Sequence, residues 1–155
     1  MGSRDNCQCP CGQTQFGVQG RPLLRAFCHC TICQAFNQAP YADVTLFRAK
    51  AVNMPSPDLV EYRTYRPPPA IQRGVCPACH RPALEVMNIL PMPKLVIVPS
   101  ANIRDPELFA DPSLHIFYNH RVDDVNDGLP KFNGYLNSQL AFGHRLIRSL
   151  LRTGR

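Results

Sequence analysis

The chain has 155 residues, of which 45% are hydrophobic and 16 are proline, and its formal net charge is +6. This length suits one domain with a substantial core, and the scattered prolines exclude long uninterrupted helices before residue 135. The charged start is not followed by an apolar run, and no segment approaches the roughly 18 apolar residues of a membrane span. We therefore expect no signal peptide, no membrane span and a cytoplasmic location in which the cysteines stay reduced.

Short strands are predicted along most of the chain. Their apolar positions recur in β-branched or aromatic groups separated by glycine and proline, which is the pattern of strands and turns. The predicted strands lie within residues 16–27, 41–47, 59–65, 83–89, 95–98 and 115–118. The expected fold class is mainly β, an antiparallel fold with long loops over residues 1–135 and a helical tail.

Three helical segments are predicted. Residues 30–36 fit a helical turn after a strand, and Asp105 with Pro106 fits the N-cap and first position of a short structural helix. Residues 136–155 form a basic tail in which the apolar positions of residues 136–152 have the period of an amphipathic helix. This helix packs on the domain or frays from it, while a membrane surface, a partner or nucleic acid is the alternative for its apolar face.

Cysteine is the residue type that says most about chemistry in this sequence. In a reducing compartment, short paired spacings drawn from separate segments favour tetrahedral zinc over disulfides. Four of the eight cysteines are expected to form a closed structural site, namely Cys9, Cys11, Cys76 and Cys79. Three more fall within six residues and are expected to form a second site, namely Cys28, Cys30 and Cys33.

The composition of the first site leaves one alternative open. Cys7-Gln8-Cys9 has the same spacing as Cys9-Pro10-Cys11, so Cys7 is an alternative ligand. Gly12 favours the later pair, because a tight metal turn needs backbone freedom there.

The segment Cys76-Pro77-Ala78-Cys79-His80 also matches the signature of covalent haem attachment and of a redox pair. Haem attachment normally needs export, and the strand–helix alternation of a thioredoxin-like fold is missing.

The second site offers three ligands and leaves one position of a tetrahedral zinc open. Three thiolates give Zn²⁺ a net charge of about −1, which suits the binding of an external thiol better than the activation of water. The glutamate that zinc deaminases use as a proton shuttle is absent from this motif. The alternative is a second closed site, completed by Cys7, His29 or another residue. His29 is expected to point away from the metal, and His115 is either a pocket residue or a satisfied strand histidine.

In their order these motifs resemble the glutathione-dependent formaldehyde-activating enzyme family over residues 7 to about 135. The elements are Cys9-x-Cys11-Gly12, Phe16-Gly17-Val18, Cys28-His29-Cys30-x-x-Cys33, Cys76-x-x-Cys79, His115 and Leu129-Pro130-Lys131-Phe132. The resemblance implies a β-tent fold, a structural zinc at the four-cysteine set and a catalytic zinc at the three-cysteine set. It also implies synthesis of S-(hydroxymethyl)glutathione from glutathione and formaldehyde, formally a carbon–sulfur lyase reaction, in which a histidine such as His115 or a water returns a proton.

Two departures from the family pattern bear on the substrate. His80 stands where glycine commonly follows the second cysteine pair, and Val122-Asp123-Asp124 stands where an aromatic residue is expected. The family includes centromere protein V, which is associated with chromosomes and microtubules. Arg25 is a candidate for holding the carboxylates of glutathione.

The alternative function is a noncatalytic binding module held together by zinc. Seven zinc-bound thiolates and two zinc ions would lower the formal charge from +6 to +3. Net charge therefore gives little reason to expect nucleic acid as a partner. A small-molecule thiol, such as glutathione, is the expected partner.

Overall fold

The computed structural model describes residues 5–67 and 70–153, which form ten β-strands in two sheets and two α-helices. The chain divides into two compact units. One contains the residues up to Pro22 together with Leu46–Phe109, and the other contains Leu23–Thr45 and the residues from Ala110 onward. The mainly β fold class predicted from the sequence is confirmed.

Seven strands belong to the first unit. A small sheet has the order β1-β2-β5, and four further strands follow one another as an antiparallel meander. In chain order the strands are β1 Cys7–Gln8, β2 Gln15–Val18, β5 Val52–Asn53, β6 Glu61–Arg63, β7 Ile71–Val75, β8 Pro82–Met87 and β9 Leu95–Pro99. One apolar core contains Phe16 of the small sheet and Leu84 and Val98 of the meander, together with Phe47.

Strand β7 was not among the sequence predictions, because its polar and glycine residues hide its pattern. Arg73 lies opposite Glu85 of β8, and the two buried side chains form an ion pair with an Nε–Oε1 distance of 3.4 Å. A Cβ on Gly74 would come within 2.5 Å of Val60 Cγ1 and 2.9 Å of the Leu84 carbonyl oxygen. Glycine is therefore required where the neighbouring chain approaches this strand.

The second unit contains β3 Leu24–Cys28, most of β4 Ala42–Arg48, β10 His115–Ile116, α1 Thr31–Asn37 and α2 Tyr135–Thr153. Strand β3 lies between β10 and β4. The β10–β3 pair is parallel, with His115 opposite Phe27 and Ile116 opposite Cys28, in an otherwise largely antiparallel protein. This pairing brings His115 beside the beginning of the Cys28–Cys33 motif.

Two of the predicted helices start where expected. Cys30 is the N-cap of α1, whereas the Asp105 side chain accepts a hydrogen bond from the Glu107 N–H at the start of a single 3₁₀ turn, Pro106–Leu108. At the end of β10, Phe117 has φ +53°, so the predicted strand 115–118 stops after Ile116 and a 3₁₀ turn begins at Tyr118.

Helix α2 confirms the predicted C-terminal helix but packs through a different face. Its two buried residues are Ser138 and Leu146, and Ser138 Oγ accepts a hydrogen bond from the Phe117 N–H at 2.8 Å. Of the predicted apolar positions, Leu136, Leu140, Ile147 and Leu151 are exposed, and Leu150 is half-buried. Within the described residues, none of the helices has the length and apolar character needed to cross a membrane.

Candidate metal sites

Four cysteines of the first unit converge on one point. The sulfur atoms of Cys9, Cys11, Cys76 and Cys79 all lie within 4.8 Å of one another. The Cys9–Cys11 and Cys11–Cys76 sulfur distances are 3.5 and 3.7 Å. A tetrahedral zinc with Zn–S bonds of about 2.3 Å separates its sulfurs by about 3.8 Å, so the group has the dimensions of a closed zinc site.

Two similar backbone turns position these sulfurs. The Gly12 N–H donates to the Cys9 carbonyl at 2.9 Å, and the His80 N–H donates to the Cys76 carbonyl at 2.8 Å. Both Gly12 and His80 have positive φ, +80° and +58°, so each turn closes through a left-handed residue. The freedom predicted for Gly12 is used here, and His80 adopts a conformation that glycine adopts more readily.

Hydrogen bonds outweigh burial and lower the pKa of Cys9 and Cys76, whereas at Cys11 burial and the neighbouring thiols outweigh the Gln13 N–H and raise the pKa to about 12. Burial alone raises the pKa of Cys76, but hydrogen bonds that include those of the backbone N–H groups of Cys79 and Ala78 outweigh it and lower that pKa to about 6. The Thr14 N–H also donates to Cys9 Sγ at 3.4 Å. Two of the four sulfurs, those of Cys9 and Cys76, therefore favour the thiolate form that a cation binds.

Cys7 is not a member of either cysteine group. Its side chain is fully buried in the apolar core of its unit. Burial, assisted by the negative charge of Asp105, raises the pKa of Cys7 to about 12. The cluster therefore uses the Cys9–Cys11 pair, and Cys7 remains a neutral thiol at ordinary pH.

Three cysteines of the second unit form the other group. Cys28 ends β3, Cys30 caps α1 and Cys33 lies in the first turn of that helix, so the change from strand to helix folds the three side chains together. Their sulfur atoms lie within 4.8 Å of one another, and Cys30 Sγ accepts a hydrogen bond from the Cys33 N–H at 3.3 Å. No fourth His, Cys, Asp or Glu atom of residues 5–67 and 70–153 joins them.

The close sulfurs of this group disfavour ionisation when no cation is bound. The hydrogen bond with Cys30 is the largest influence that raises the pKa of Cys28, and the hydrogen bond with Cys28 has the same role for Cys33. Cys28 and Cys33 are buried, whereas Cys30 is partly exposed. Three adjacent thiolates need a positive charge between them, which is what a metal ion supplies.

A hydrogen-bonded row of three side chains begins next to Cys28 and runs from two buried imidazoles to the partly exposed carboxylate of Asp127. His29 Nε2 lies 2.8 Å from His115 Nδ1, and His115 Nε2 lies 2.6 Å from Asp127 Oδ2. Both imidazoles are almost completely inaccessible to solvent, and the rings of Tyr41 and Tyr118 pack against His29. Lys131 Nζ donates to the other oxygen of Asp127 at 3.0 Å and completes the row.

The order of this chain fixes the proton positions when both rings are neutral. The Asp127 carboxylate can only accept, so His115 carries its hydrogen on Nε2 and offers the Nδ1 lone pair to the Nε2–H of His29. The remaining lone pair is then on His29 Nδ1, a buried atom without a hydrogen-bond partner among the described residues. Burial is the main cause that lowers the pKa of His29, to about 4, so that ring is neutral near pH 7.

Asp127 is the member of this hydrogen-bonded row of side chains that the sequence analysis missed. A signal was present, because Asp127 precedes the Leu129-Pro130-Lys131-Phe132 element. That element pairs with β10, where the His115 N–H donates to the Pro130 carbonyl at 2.9 Å.

Arg25 is bidentate on Asp43, at 2.9 and 2.8 Å, and also donates to the Ala110 carbonyl. Its charge is therefore compensated within its own unit.

The fold and the two cysteine groups together define a β protein with two candidate metal sites. The family model described as "Glutathione-dependent formaldehyde-activating enzyme" matches residues 4–120, and the chain belongs to this family. A comparison with curated proteins gave no match.

Among solved structures, the crystal structure of a Rhodobacter sphaeroides protein is similar, with a TM-score of 0.51 and 13% sequence identity. The match covers 82% of this chain and 98% of that one. At this identity the similarity shows the shared fold alone.

Proposed function

We propose that this chain is a zinc-dependent enzyme that adds a thiol, such as glutathione, to formaldehyde. The observation that carries the proposal is the convergence of Cys28, Cys30 and Cys33 without a fourth ligand among the described residues, in a chain of this family. The product would be S-(hydroxymethyl)glutathione, which makes the reverse reaction a carbon–sulfur cleavage.

Zinc is the metal that the donor sets fit best. A set of four thiolates is typical of a closed structural zinc site, and three protein ligands are typical of a catalytic one. Cys9, Cys11, Cys76 and Cys79 would hold the structural ion, and the other group would hold the second. Zinc bound to three thiolates supplies a centre that lowers the pKa of an incoming thiol.

The chemistry requires one proton to move from sulfur to oxygen. The thiol loses its proton, its sulfur forms a bond to the carbonyl carbon, and the π electron pair moves to oxygen, which then takes up a proton. Atoms and charge balance without an oxidant or reductant. A base that accepts a proton and returns it is therefore the one group the protein must add.

His29 and His115 are the residues to which we assign this proton transfer. The free lone pair is on His29 Nδ1, whereas both nitrogens of His115 are already engaged. His29 would accept the proton on Nδ1. His115 would act through His29, because its Nδ1 receives the hydrogen bond from the Nε2–H of His29. The Asp127 carboxylate then stabilises the positive charge that forms on the pair.

Exchange NMR on the zinc-loaded protein with glutathione and formaldehyde tests the proposed activity. We expect faster interconversion of free and hydroxymethylated glutathione than in buffer, and a loss of at least tenfold in Cys30→Ser. Cys7→Ala is the matched control, because it removes a cysteine outside both groups and should retain two zinc ions and the activity. No acceleration by wild-type protein that contains two zinc ions would refute the proposal.

A noncatalytic zinc-stabilised binding module is the second candidate. The observation that favours it is the exposed apolar surface of α2, which no catalytic step uses. In that case both zinc ions would be present, and neither the wild type nor Cys30→Ser would change the rate of exchange between glutathione and formaldehyde. The same exchange experiment therefore distinguishes the two functions.

A further inference from the structure

Helix α2 has an apolar stripe that faces solvent. It consists of Leu136, Leu140, Ile147 and Leu151, which are 67%, 63%, 49% and 73% exposed. Their spacings of four, seven and four residues place them on one side of an α-helix. The helix is held to its own unit through the other side, by Ser138 and Leu146. The stripe is thus not needed for the packing of α2.

The charge of the same helix is of one sign. Arg145, Arg148 and Arg152 lie on α2, and no acidic residue occurs in residues 135–155. Arg148 and Arg152 are exposed, and Arg148 is a helical neighbour of Leu151 at a spacing of three residues. An apolar stripe bordered by arginine therefore lies on a segment outside residues 4–120, which the family model matches.

We propose that the apolar stripe of α2 binds the surface of an anionic lipid bilayer. Such a helix lies in the plane of the interface, with its aliphatic side chains among the acyl chains and its arginines at the headgroups. The spacing from Leu136 to Leu151 corresponds to about 22 Å of helix at a rise of 1.5 Å per residue, so all four side chains can enter the interface together.

Two other occupants fit the stripe less well. A stable interface between two proteins takes roughly 20–30 residues from each side, whereas the stripe has four, and a second copy would bring its own arginines against these. Nucleic acid would engage the arginines and leave the aliphatic side chains without a partner, because phosphates dominate that interaction. A bilayer with anionic headgroups matches both the apolar and the charged features.

Vesicle sedimentation with the zinc-loaded full-length protein tests this inference. We expect binding to phosphatidylcholine vesicles that contain 30% phosphatidylglycerol, weaker binding in high salt, and little binding to phosphatidylcholine alone. The variants Leu140→Gln and Leu151→Gln should each weaken binding about tenfold, since burial of a leucine contributes at least that factor. Arg148→Gln should weaken binding about fivefold.

Leu90→Gln is the matched control, because Leu90 is an 85% exposed leucine in a loop of the other unit. It should bind vesicles as the wild type does, and circular dichroism should show that all variants are folded. The inference is overturned by equal binding to neutral and anionic vesicles, by no binding to either, or by an equal loss in Leu90→Gln. It is also overturned if ultracentrifugation shows a dimer that Leu140→Gln dissociates, or if duplex DNA competes away the vesicles without loss in the leucine variants.

Discussion

Removal of the Asp127 side chain should destabilise the protein, because the buried ring of His115 then loses its hydrogen-bond acceptor. Asp127→Ala leaves the Nε2–H of a fully buried imidazole without its acceptor at 2.6 Å. An unsatisfied buried donor costs about 1–3 kcal/mol, and the accompanying loss of the partly exposed Lys131 ion pair adds at most about 0.5 kcal/mol. We therefore expect the free energy of unfolding to fall by about 2 kcal/mol.

Two variants give this expectation a sharp comparison. Asp127→Asn keeps an oxygen that can accept from His115, so it should lose less than half as much stability as Asp127→Ala. Asp124→Ala removes the same group from an exposed pair with Arg121, in which Asp124 is 71% exposed, and should change stability by less than about 0.5 kcal/mol. Urea denaturation of the zinc-loaded proteins measures all three.

The position of the histidine protons can be read in the same samples. Nitrogen NMR of the folded wild type should show His29 with a bare Nδ1 at pH 7 and the Nε2–H of His115 bonded to Asp127. Asp127→Ala should remove the constraint on His115 and slow the glutathione–formaldehyde exchange. If Asp127→Ala matches Asp124→Ala in stability and leaves the ring nitrogens unchanged, the hydrogen-bonded chain described above is wrong.

Three further predictions concern the first unit. The pKa of Cys7 is raised to about 12 in the folded protein, above its value in the unfolded chain, so Cys7 contributes stability that is fully present below about pH 9 and lost as pH rises toward 12. The difference in unfolding free energy between wild type and Cys7→Ala should therefore shrink by about 1.4 kcal/mol per pH unit in that window, and a constant difference would contradict it. Gly12 and His80 have positive φ, a conformation that strains residues with a Cβ. In thermal melts, Gly12→Ala should therefore lower the free energy of unfolding by about 1 kcal/mol, and His80→Gly should raise it by about 1 kcal/mol. Changes of the same sign would contradict this explanation. Arg73→Met should cost about 3 kcal/mol in urea denaturation because it removes the positive charge that faces the buried Glu85 carboxylate. The second substitution Glu85→Leu should recover most of the loss, and no recovery would mean that the pair is not the cause.

Local spacing made the three-cysteine group, and each of the pairs Cys9–Cys11 and Cys76–Cys79, predictable from sequence. Ligands separated by one or two residues must lie close together whatever the rest of the chain does, so Cys28, Cys30 and Cys33 needed no knowledge of the fold. The choice between Cys7 and Cys11 depended on which way a two-residue strand faces. The structure answers it by placing Cys7 in the core, and Gly12 had given the right indication.

Features that depend on distant pairing were harder to predict. The contact between His29 and His115 joins residues 86 positions apart through a parallel strand pair, which no local pattern reveals. Strand β7 was missed because its buried polar pair Arg73–Glu85 breaks the apolar alternation on which strand prediction relies. For α2 the helical period was predicted correctly, but the buried face of the helix was not. That face includes Ser138, which is buried because it forms hydrogen bonds and not because it is apolar.

Cadmium NMR of the protein with ¹¹³Cd in both sites tests most directly whether the three-cysteine group binds an external thiol. We expect two resonances, one from the four-cysteine group and one from Cys28, Cys30 and Cys33. Glutathione should move only the second, toward the shift of a four-sulfur site, and Cys30→Ser should abolish that response. Two resonances that are both unchanged at saturating glutathione would contradict the account, because the open position would then not be a thiol site.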